Sequence, residues 1–102
     1  MVVRIVQNRF SDFLCKHIVK HDAITIYPFI FFAKDLLTVG LLAHELCHIK
    51  QYKERGWFGF IWDYLIFYIK YGYFKSPLEV EARRDWGKYV KSAQELIRYY
   101  KK

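Results

Sequence analysis

Cysteine is scarce in this chain of 102 residues, which contains only Cys15 and Cys47. Two cysteines do not make the disulfide framework on which many small secreted domains depend. Proline occurs twice and glycine five times, and we find no low-complexity segment, linker or internal repeat. The chain must therefore fold around a hydrophobic core, to which a bound metal would add folding free energy. We predict a single domain covering residues 1–102.

The sequence also lacks the patterns of a signal peptide and of a membrane-spanning segment. Arg4 interrupts the short apolar run at the N-terminus. The longest apolar stretch, residues 57–69, contains Asp63 and is shorter than the roughly 20 residues that a spanning helix needs. We predict a cytoplasmic protein in which residues 57–69 form a buried helix. Peripheral contact of this stretch with a membrane surface stays open as an alternative.

Acidic residues are few: the chain has 10 of them against 17 basic residues, with a formal net charge of +7 and a pI of about 9.5. Many of the basic residues gather late in the chain, at Arg83, Arg84, Lys88, Lys91, Arg98, Lys101 and Lys102. Such a bias can attract nucleic acid or anionic lipid. No nucleic-acid-binding motif accompanies it, however. We therefore favour a solvated helix face and expect no nucleic-acid partner.

Apolar and aromatic residues are abundant, at 54% and 21% of the chain, which is ample for a core. Runs of β-branched and aromatic residues predict strands at residues 2–7, 24–27 and 29–33. Helical patterns predict a first helix capped by Ser11 and Asp12, a second from Asp35 to Gly56, an apolar third ending at Gly72, and a fourth from Ser76 to about Tyr100. Together these elements predict an α+β fold with a small mixed sheet.

The segment His44-Glu45-Leu46-Cys47-His48 carries an HExxH motif inside the second predicted helix. Residues four apart lie one turn apart on the same face, so both imidazoles can reach one metal ion. Zinc lowers the pKa of a bound water towards ~7, and Glu45 is placed to take the proton of that water as it attacks a carbonyl. The alternative is a pair of structural histidines beside an incidental glutamate.

A catalytic zinc ion typically has three protein ligands, and no histidine follows the motif. Glu79 and Glu81, near the start of the fourth predicted helix, are the best remaining donors. Glu79 could instead complete a capping box with Ser76, in which case its carboxylate would not face the ion.

These two regions resemble the gluzincin metallopeptidases, and more closely the minigluzincins. The similarity covers about residues 24–90, in which the strands, the HExxH helix, the apolar helix and the later "glutamate helix" follow in the same order. The segment Glu79-Val80-Glu81-Ala82 matches the E-x-x-A pattern of that family, which implies that Glu79 rather than Glu81 is the third ligand. Arg83 departs from the pattern, because many relatives have an aspartate there that orients the first histidine; Asp85 or a backbone carbonyl is the expected substitute.

The resemblance further implies a zinc-dependent endopeptidase whose peptide substrate lies extended along an edge strand above the active-site helix. We expect that strand to run from Phe29 to Ala33, because Pro28 before it cannot donate to a central ladder. A donor to the carbonyl oxyanion is also needed, and Tyr68, Tyr71 and Tyr73 precede the glutamate helix. We name Tyr73 as the catalytic candidate beside Glu45, with simple packing as the alternative.

The other histidines, Cys47, Gln51 and the C-terminal tail are interpreted separately from the candidate metal ligands. His17 and His21 repeat the i, i+4 spacing without an adjacent carboxylate ligand, so we expect no metal site there. Cys47 is expected to be a small buried filler and Gln51 a polar residue that supports the site. The C-terminal tail, residues 99–102, would make the enzyme latent if it blocked the cleft. A zinc-binding domain without turnover, and a basic module that binds membranes or nucleic acid, are the alternative functions.

Overall fold

The computed structural model describes residues 3–19, 21–34 and 36–100. Within these ranges the fold is α+β, as predicted, with a small mixed sheet and five α-helices. In chain order the elements are β1 (Arg4–Val6), α1 (Arg9–Phe13), β2 (Ala23–Ile26), β3 (Phe29–Phe32), α2 (Val39–Arg55), α3 (Trp57–Lys75), α4 (Pro77–Asp85) and α5 (Val90–Tyr100). A π-helical segment, Leu14–Val19, continues α1, and a 3₁₀ turn, Trp86–Tyr89, joins α4 to α5.

The sheet has the order β1-β3-β2, with β3 parallel to β1 and antiparallel to β2. The strand predicted to lie at the edge, from Phe29 to Ala33, is therefore central, and that prediction is wrong. Pro28 lies in the turn between β2 and β3, so its missing N–H removes no hydrogen bond from the sheet. Its carbonyl accepts a hydrogen bond from the Arg4 N–H at 2.8 Å. The outer strand that contacts α2 is β2.

Side-chain capping sets the start of α1 earlier than predicted. Asn8 Oδ1 accepts the Ser11 N–H at 2.9 Å, and Ser11 Oγ accepts the Asn8 N–H at 2.7 Å. Ser11 is thus the third residue of the helix rather than its cap, and α1 begins at Arg9. The predicted first strand is shortened to β1, and Val2 lies outside the described residues.

Helix α2, which carries the HExxH motif, has clear signals at both ends. Thr38 caps it by accepting the Leu41 N–H at 3.1 Å, so the helix begins at Val39; the predicted start, Asp35, lies outside the described residues. The helix ends at Gly56, as predicted, where a φ of +78° favours glycine. Helix α2 contacts β2, α3, α4 and α5, which makes it the central element of the fold.

The C-terminal half has more breaks than predicted. Gly72, with a φ of +81°, interrupts the helical backbone as expected, but helical structure resumes and α3 extends to Lys75. The predicted continuous helix from Ser76 to Tyr100 is wrong. Asp85 leaves α-helical geometry, with φ −107° and ψ 0°, and the 3₁₀ turn that follows separates α4 from α5.

Two hydrophobic clusters hold α2 in place. The first joins β3, α2 and α5 through the buried residues Ile30, Phe32, Leu42, Ala43, Leu46, Ile49 and Ala93. The second joins α2, α3 and α4 through the buried residues Tyr52, Phe60 and Leu78. Burial of each large side chain stabilises the fold by ~1.5–3 kcal/mol. The first cluster therefore fixes β3 and α5 against the motif helix, and the second fixes α3 and α4.

Helix α3 is not the buried helix predicted for residues 57–69. Its inner side, with buried Phe60 and partly buried Tyr64 and Phe67, packs against α2 and α4. Its outer side exposes five apolar side chains: Phe58, Trp62, Leu65, Ile66 and Ile69. Because apolar side chains lie on both sides of this stretch, its periodicity did not reveal which side is covered. Among the helices of the described ranges, none combines the length and apolar character that crossing a bilayer requires.

Candidate metal centre

Helix α2 places the two motif histidines on one side. His44 and His48 lie one turn apart, with ring centroids separated by 5.2 Å and ring planes inclined at 75°. His48 is 5% exposed, whereas His44 is partly exposed. One imidazole is therefore enclosed while the other borders open space, which suits a site that solvent or a substrate enters from the His44 side.

Helix α4 brings Glu79 to the two histidines. Glu79 Oε1 lies 3.0 Å from His44 Nε2 and 3.2 Å from His48 Nε2. Two donors bound tetrahedrally to zinc at ~2.1 Å lie about 3.4 Å apart, so this spacing fits a zinc ion. In the part of the chain that the structure describes, these three side chains are the one group of histidine, cysteine or acidic residues whose donor atoms converge, all within 4.8 Å of one another.

Glu79 does not complete a capping box at the start of α4. Ser76 makes no side-chain cap hydrogen bond, and its N–H donates to the Tyr73 carbonyl at 3.4 Å. Glu79 points inward and is 2% exposed, and its Oε2 accepts the Tyr64 O–H at 2.7 Å. One carboxylate oxygen is thus held by Tyr64, and the other faces both histidines.

Gln51 sets the orientation of the His48 ring. Its Nε2 donates to the Leu78 carbonyl and to Glu81 Oε1, each at 2.9 Å. Its Oε1 is left to accept the Nδ1–H of His48 at 2.8 Å, so Nε2 is the ring nitrogen that faces Glu79. Gln51 therefore supports the site, as predicted. Glu81, the other ligand candidate, lies outside the converging group and holds Gln51 instead.

The cluster attracts positive charge. Burial alone would raise the pKa of Glu79, but hydrogen bonds from His44 and His48 hold that pKa well below its usual range. Burial alone would lower the pKa of His48, but its hydrogen bond to Glu79 and the charges of Glu45 and Glu79 raise that pKa to about 9. The carboxylate and the imidazoles together stabilise a cation between them, whether it is a proton or a metal ion.

Glu45 lies next to this cluster and is held by strand β2. Its Oε1 accepts the Thr25 hydroxyl at 2.8 Å, and both residues are buried. The Thr25 carbonyl in turn accepts the Tyr52 O–H at 3.0 Å, which joins β2 to α2 a second time. Thr25 thus occupies one carboxylate oxygen of Glu45 and thereby fixes the orientation of the other.

Two cavities meet at Glu45. A cavity of about 420 Å³ has largely apolar and aromatic walls, and the side chains of His48 and Glu79 form part of its lining. A second cavity, of about 610 Å³, is lined in part by His44. Four residues line both cavities: His21, Ala23, Glu45 and Tyr73. A molecule bound across them would pass directly over the candidate metal ligands.

Tyr73, the residue predicted to stabilise an oxyanion, borders the site. Its ring stacks on His21, with the centroids 4.2 Å apart. Burial and the charge of Glu79 raise the pKa of its hydroxyl, which therefore stays protonated and able to donate a hydrogen bond. Tyr68 lines the apolar cavity as well, but of the three tyrosines named from the sequence, Tyr73 alone borders both cavities.

Arg83 stands where the resemblance led us to expect an aspartate. Its guanidinium lies 4.0 Å from the centroid of the Phe74 ring and donates to the Phe74 carbonyl. Asp85, one expected substitute, pairs with Arg84 at 2.9 Å and lies 3.7 Å from Lys88, so it does not orient His44. Within the described residues His48 has a side-chain partner at its second ring nitrogen, and His44 has no equivalent.

The other sequence candidates do not form a site. His17 packs against Phe13 and His21 stacks on Tyr73. Cys47 is buried, as predicted, and burial raises the pKa of its thiol to about 11, which makes it a poor nucleophile and a poor metal ligand. Both cysteines are free thiols.

The C-terminal tail leaves the candidate site uncovered in the described residues. Tyr99 lines a separate cavity of about 700 Å³, together with Leu46 and Lys50. Lys101 and Lys102 lie outside the described residues. Blocking of the cleft by the tail stays a prediction.

Sequence reasoning missed Tyr64 and Thr25. Phe60, Tyr64 and Phe67 form the inner row of α3 at i, i+4 and i+7 spacing, and the one polar tip in this row was the signal available for Tyr64. Thr25 offered no signal, because a β-branched residue is ordinary in a strand and its contact with Glu45 spans 20 residues of sequence.

Comparisons of this chain with protein-family models, with curated proteins and with solved structures give no match. The function is therefore inferred from the chemistry of the site itself: two imidazoles and a carboxylate that converge beside a second, buried carboxylate.

Proposed function

We propose that this protein is a zinc-dependent peptidase that hydrolyses peptide bonds with activated water. The observation that supports this most is the convergence of His44, His48 and Glu79 within 4.8 Å, with Glu45 at the junction of two cavities beside them. Two imidazole nitrogens and one carboxylate oxygen are a common donor set for catalytic zinc. The sequence resemblance to minigluzincins agrees with the same set.

The side chains present suit zinc better than magnesium or calcium, which prefer oxygen ligands throughout. When bound by three protein ligands, zinc acts as a Lewis acid that polarises a carbonyl group and acidifies water at its open position. Gln51 and Tyr64 hold His48 and Glu79 through the hydrogen bonds at 2.8 and 2.7 Å. Two of the three ligands are thus oriented before any ion binds.

Glu45 is the proposed general base. Its carboxylate would accept the proton that the attacking water loses and then deliver it to the leaving amine. The Thr25 hydroxyl would keep the carboxylate in place during both transfers, because it occupies one oxygen at 2.8 Å. Tyr73 would donate to the developing oxyanion, whereas the hydroxyl of Tyr64 is already used by Glu79.

The peptide substrate is proposed to lie extended along β2 rather than along the strand from Phe29 to Ala33. The latter is paired on both sides, whereas one edge of β2 pairs with no strand in the described part of the chain. The residues of β2 also line the apolar cavity. Tyr52 and Trp57 already donate to the carbonyls of Thr25 and Tyr27, so the edge near Ala23 is the open part. An apolar side chain of the substrate would fill the adjacent cavity.

Zinc analysis and a peptide-cleavage assay on the full chain test this proposal. The purified protein should contain zinc and cleave casein or a peptide library. Glu45→Gln should retain the zinc and lower kcat by about 10²–10⁴-fold, because only the base is removed. Glu95→Gln, an exposed change of the same kind on α5, is the matched control and should be as active as the wild type.

Three results would speak against the proposal. A protein that does not bind zinc would exclude the metal centre. Zinc binding with no cleavage of any peptide would instead indicate a zinc-binding domain without turnover. Cleavage that Glu45→Gln leaves unchanged would point to a contaminating peptidase or to another mechanism.

A further inference from the structure

The outer side of α3 carries an apolar stripe: Phe58, Trp62, Leu65, Ile66 and Ile69 are 82%, 66%, 53%, 42% and 83% exposed. Their spacing of i, i+4, i+7, i+8 and i+11 places them along one side of the helix. Single exposed apolar residues are common, but a continuous stripe that no described residue covers is typical of an interaction surface.

The charges around the apolar stripe are mostly positive. Asp63 is the one acidic residue within α3, and Arg55 pairs with it at 2.8 Å. Lys70 and Lys75 are exposed near the end of the helix. Just before its start, exposed Lys53 is followed by exposed Glu54, which lies 3.9 Å from Lys50. The formal net charge of the whole chain is +7. A partner of this surface should therefore be apolar in part and negatively charged in part.

We propose that the apolar stripe docks on an anionic lipid surface, with α3 lying in the plane of the headgroups. Exposed Trp, Phe, Leu and Ile side chains with basic residues beside them are typical of interfacial helices, and anionic headgroups attract lysine and arginine. A second copy of this chain fits the stripe less well, because pairing would bring together two molecules that each carry a net charge of +7.

Docking would place the candidate metal centre at the lipid surface. Leu65 belongs to the apolar stripe and also lines the cavity that contains Glu45, His48 and Glu79. Ile18, from the π-helical segment, lines the same cavity and is 61% exposed. A peptide segment held at the membrane surface could thus enter the cavity. This consequence rests on the proposed function, whereas the docking itself does not.

Co-sedimentation with lipid vesicles tests the docking. The full chain should bind vesicles that contain phosphatidylglycerol and should bind much less to phosphatidylcholine alone. Binding should weaken as salt is raised, because headgroup attraction is screened. Glu45→Gln should bind vesicles like the wild type, so a failure of the proposed peptidase activity would not affect this result.

Paired variants locate the lipid contact. The double change Trp62→Gln and Ile69→Gln should lower the partition coefficient at least about tenfold, because two large apolar side chains no longer enter the lipid. Tyr99→Gln removes a similarly exposed aromatic from α5 and should have little effect. Lys70→Gln with Lys75→Gln should weaken binding more than Lys91→Gln with Arg98→Gln, although the net charge changes equally.

Tryptophan fluorescence gives an independent readout. A variant that keeps Trp62 alone (Trp57→Phe, Trp86→Phe) should be quenched by brominated lipids. A variant that keeps Trp86 alone (Trp57→Phe, Trp62→Phe) should not be quenched, because Trp86 lies in the 3₁₀ turn after α4. Circular dichroism confirms that each variant is folded.

Three outcomes would overturn the docking proposal. One is a folded, monomeric protein that does not bind anionic vesicles. Another is binding that the α5 charge variant abolishes and the stripe variant leaves unchanged. The last is self-association that Trp62→Gln and Ile69→Gln prevent, which would assign the stripe to a second copy of the chain.

Discussion

Two histidine pairs in this chain have the same sequence spacing and very different surroundings. The pair that we propose as metal ligands, His44 and His48, is called the ligand pair below. It lies in the regular helix α2, with both Nε2 atoms within 3.2 Å of Glu79 Oε1. The second pair, His17 and His21, lies in and just beyond a π-helical segment. Its rings pack on two different aromatic side chains and do not converge on a carboxylate.

The difference indicates what i, i+4 spacing requires in order to form a candidate metal site. Four residues amount to about one turn of a regular α-helix, which places the first pair on one side. His17 lies in a π-helical segment that ends at Val19, and His21 lies beyond that segment, so helical pitch does not align the second pair. A third donor must also arrive from elsewhere in the chain, and α4 supplies Glu79 only to the ligand pair. The i, i+4 spacing alone is therefore not sufficient for this kind of site.

Removing a proposed ligand should have the largest effect on zinc affinity. If it had none, the contrast between the two histidine pairs would not hold. His48→Ala and Glu79→Ala should each lower zinc affinity by more than the ~10–100-fold typical of changes behind the ligands. His17→Ala is the matched control and should leave affinity unchanged, as measured by competition with a chromophoric chelator. Equal losses in His17→Ala and His48→Ala would mean that both pairs bind metal.

Two tyrosines sharpen the comparison, since Tyr64 contacts the ligand Glu79 and Tyr73 stacks on His21 of the second pair. Tyr73→Phe should lower kcat by ~10²–10³-fold without changing zinc affinity, because it removes the proposed oxyanion donor. Tyr64→Phe should lower zinc affinity ~10–100-fold, because Glu79 loses its orienting hydrogen bond. Loss of zinc affinity in Tyr73→Phe would show that the second pair influences the metal centre after all.

Metal removal should show how much of the fold depends on the ligand pair. With zinc at 100 times its dissociation constant, binding stabilises the native state by ~2.7 kcal/mol. For a domain of this size that corresponds to a change in Tm of about 10–20 °C between zinc and chelator, measured by calorimetry. Glu79→Ala should show almost no zinc-dependent change, and His17→Ala should show the full one.

The two cysteines report on the two regions separately, since Cys47 lies within the HExxH motif and Cys15 lies in the π-helical segment. Burial raises the pKa of each thiol from 9.0 to about 11, so both stay protonated at pH 8 and should react slowly with iodoacetamide. Zinc should slow the labelling of Cys47 several-fold more than that of Cys15, as measured by mass spectrometry.

The same raised pKa values predict a loss of stability at high pH. A thiol that stays protonated in the native state contributes stability that is present below about pH 9 and is lost as the pH rises towards 11. Labelling of both cysteines should therefore accelerate over this range by more than thiolate formation alone explains.

In the zinc-protection experiment, equal protection of Cys15 and Cys47 by zinc would indicate that the HExxH helix and the π-helical segment open as one unit.

Local signals predicted much of the fold. Gly56 ends α2 because its positive φ suits glycine, and Pro77 opens α4 directly after Ser76. The position of the strand from Phe29 to Ala33 was mispredicted, because a proline just before a strand favours an edge position. Pro28 lies in the turn that precedes β3, where its missing N–H interrupts neither ladder.

Which residues of a helix are buried was harder to predict than where the helix lies. Residues 57–69 form a helix, as expected, in which the side with Phe60, Ile61, Tyr64 and Phe67 packs on other elements and the apolar stripe is exposed. The sequence pattern did not show which side is covered, because apolar residues lie on both sides and burial depends on the packing of distant segments. The same limit explains why the contact of Thr25 with Glu45 was not foreseen.

The sequence alone determined the features that depend on helical pitch and on backbone preference: the HExxH spacing, the helix that carries it and the glycine that ends it. Tertiary structure decided how Glu79 approaches the ligand pair and which atoms Gln51 contacts, and it alone showed that Tyr64 holds Glu79 and that β2 is the outer strand beside the site. The physical reason is that these two kinds of feature depend on contacts of different sequence separation. Spacing along a helix follows from covalent geometry, whereas the meeting of α2, α3 and α4 depends on which apolar faces pack together across the whole chain.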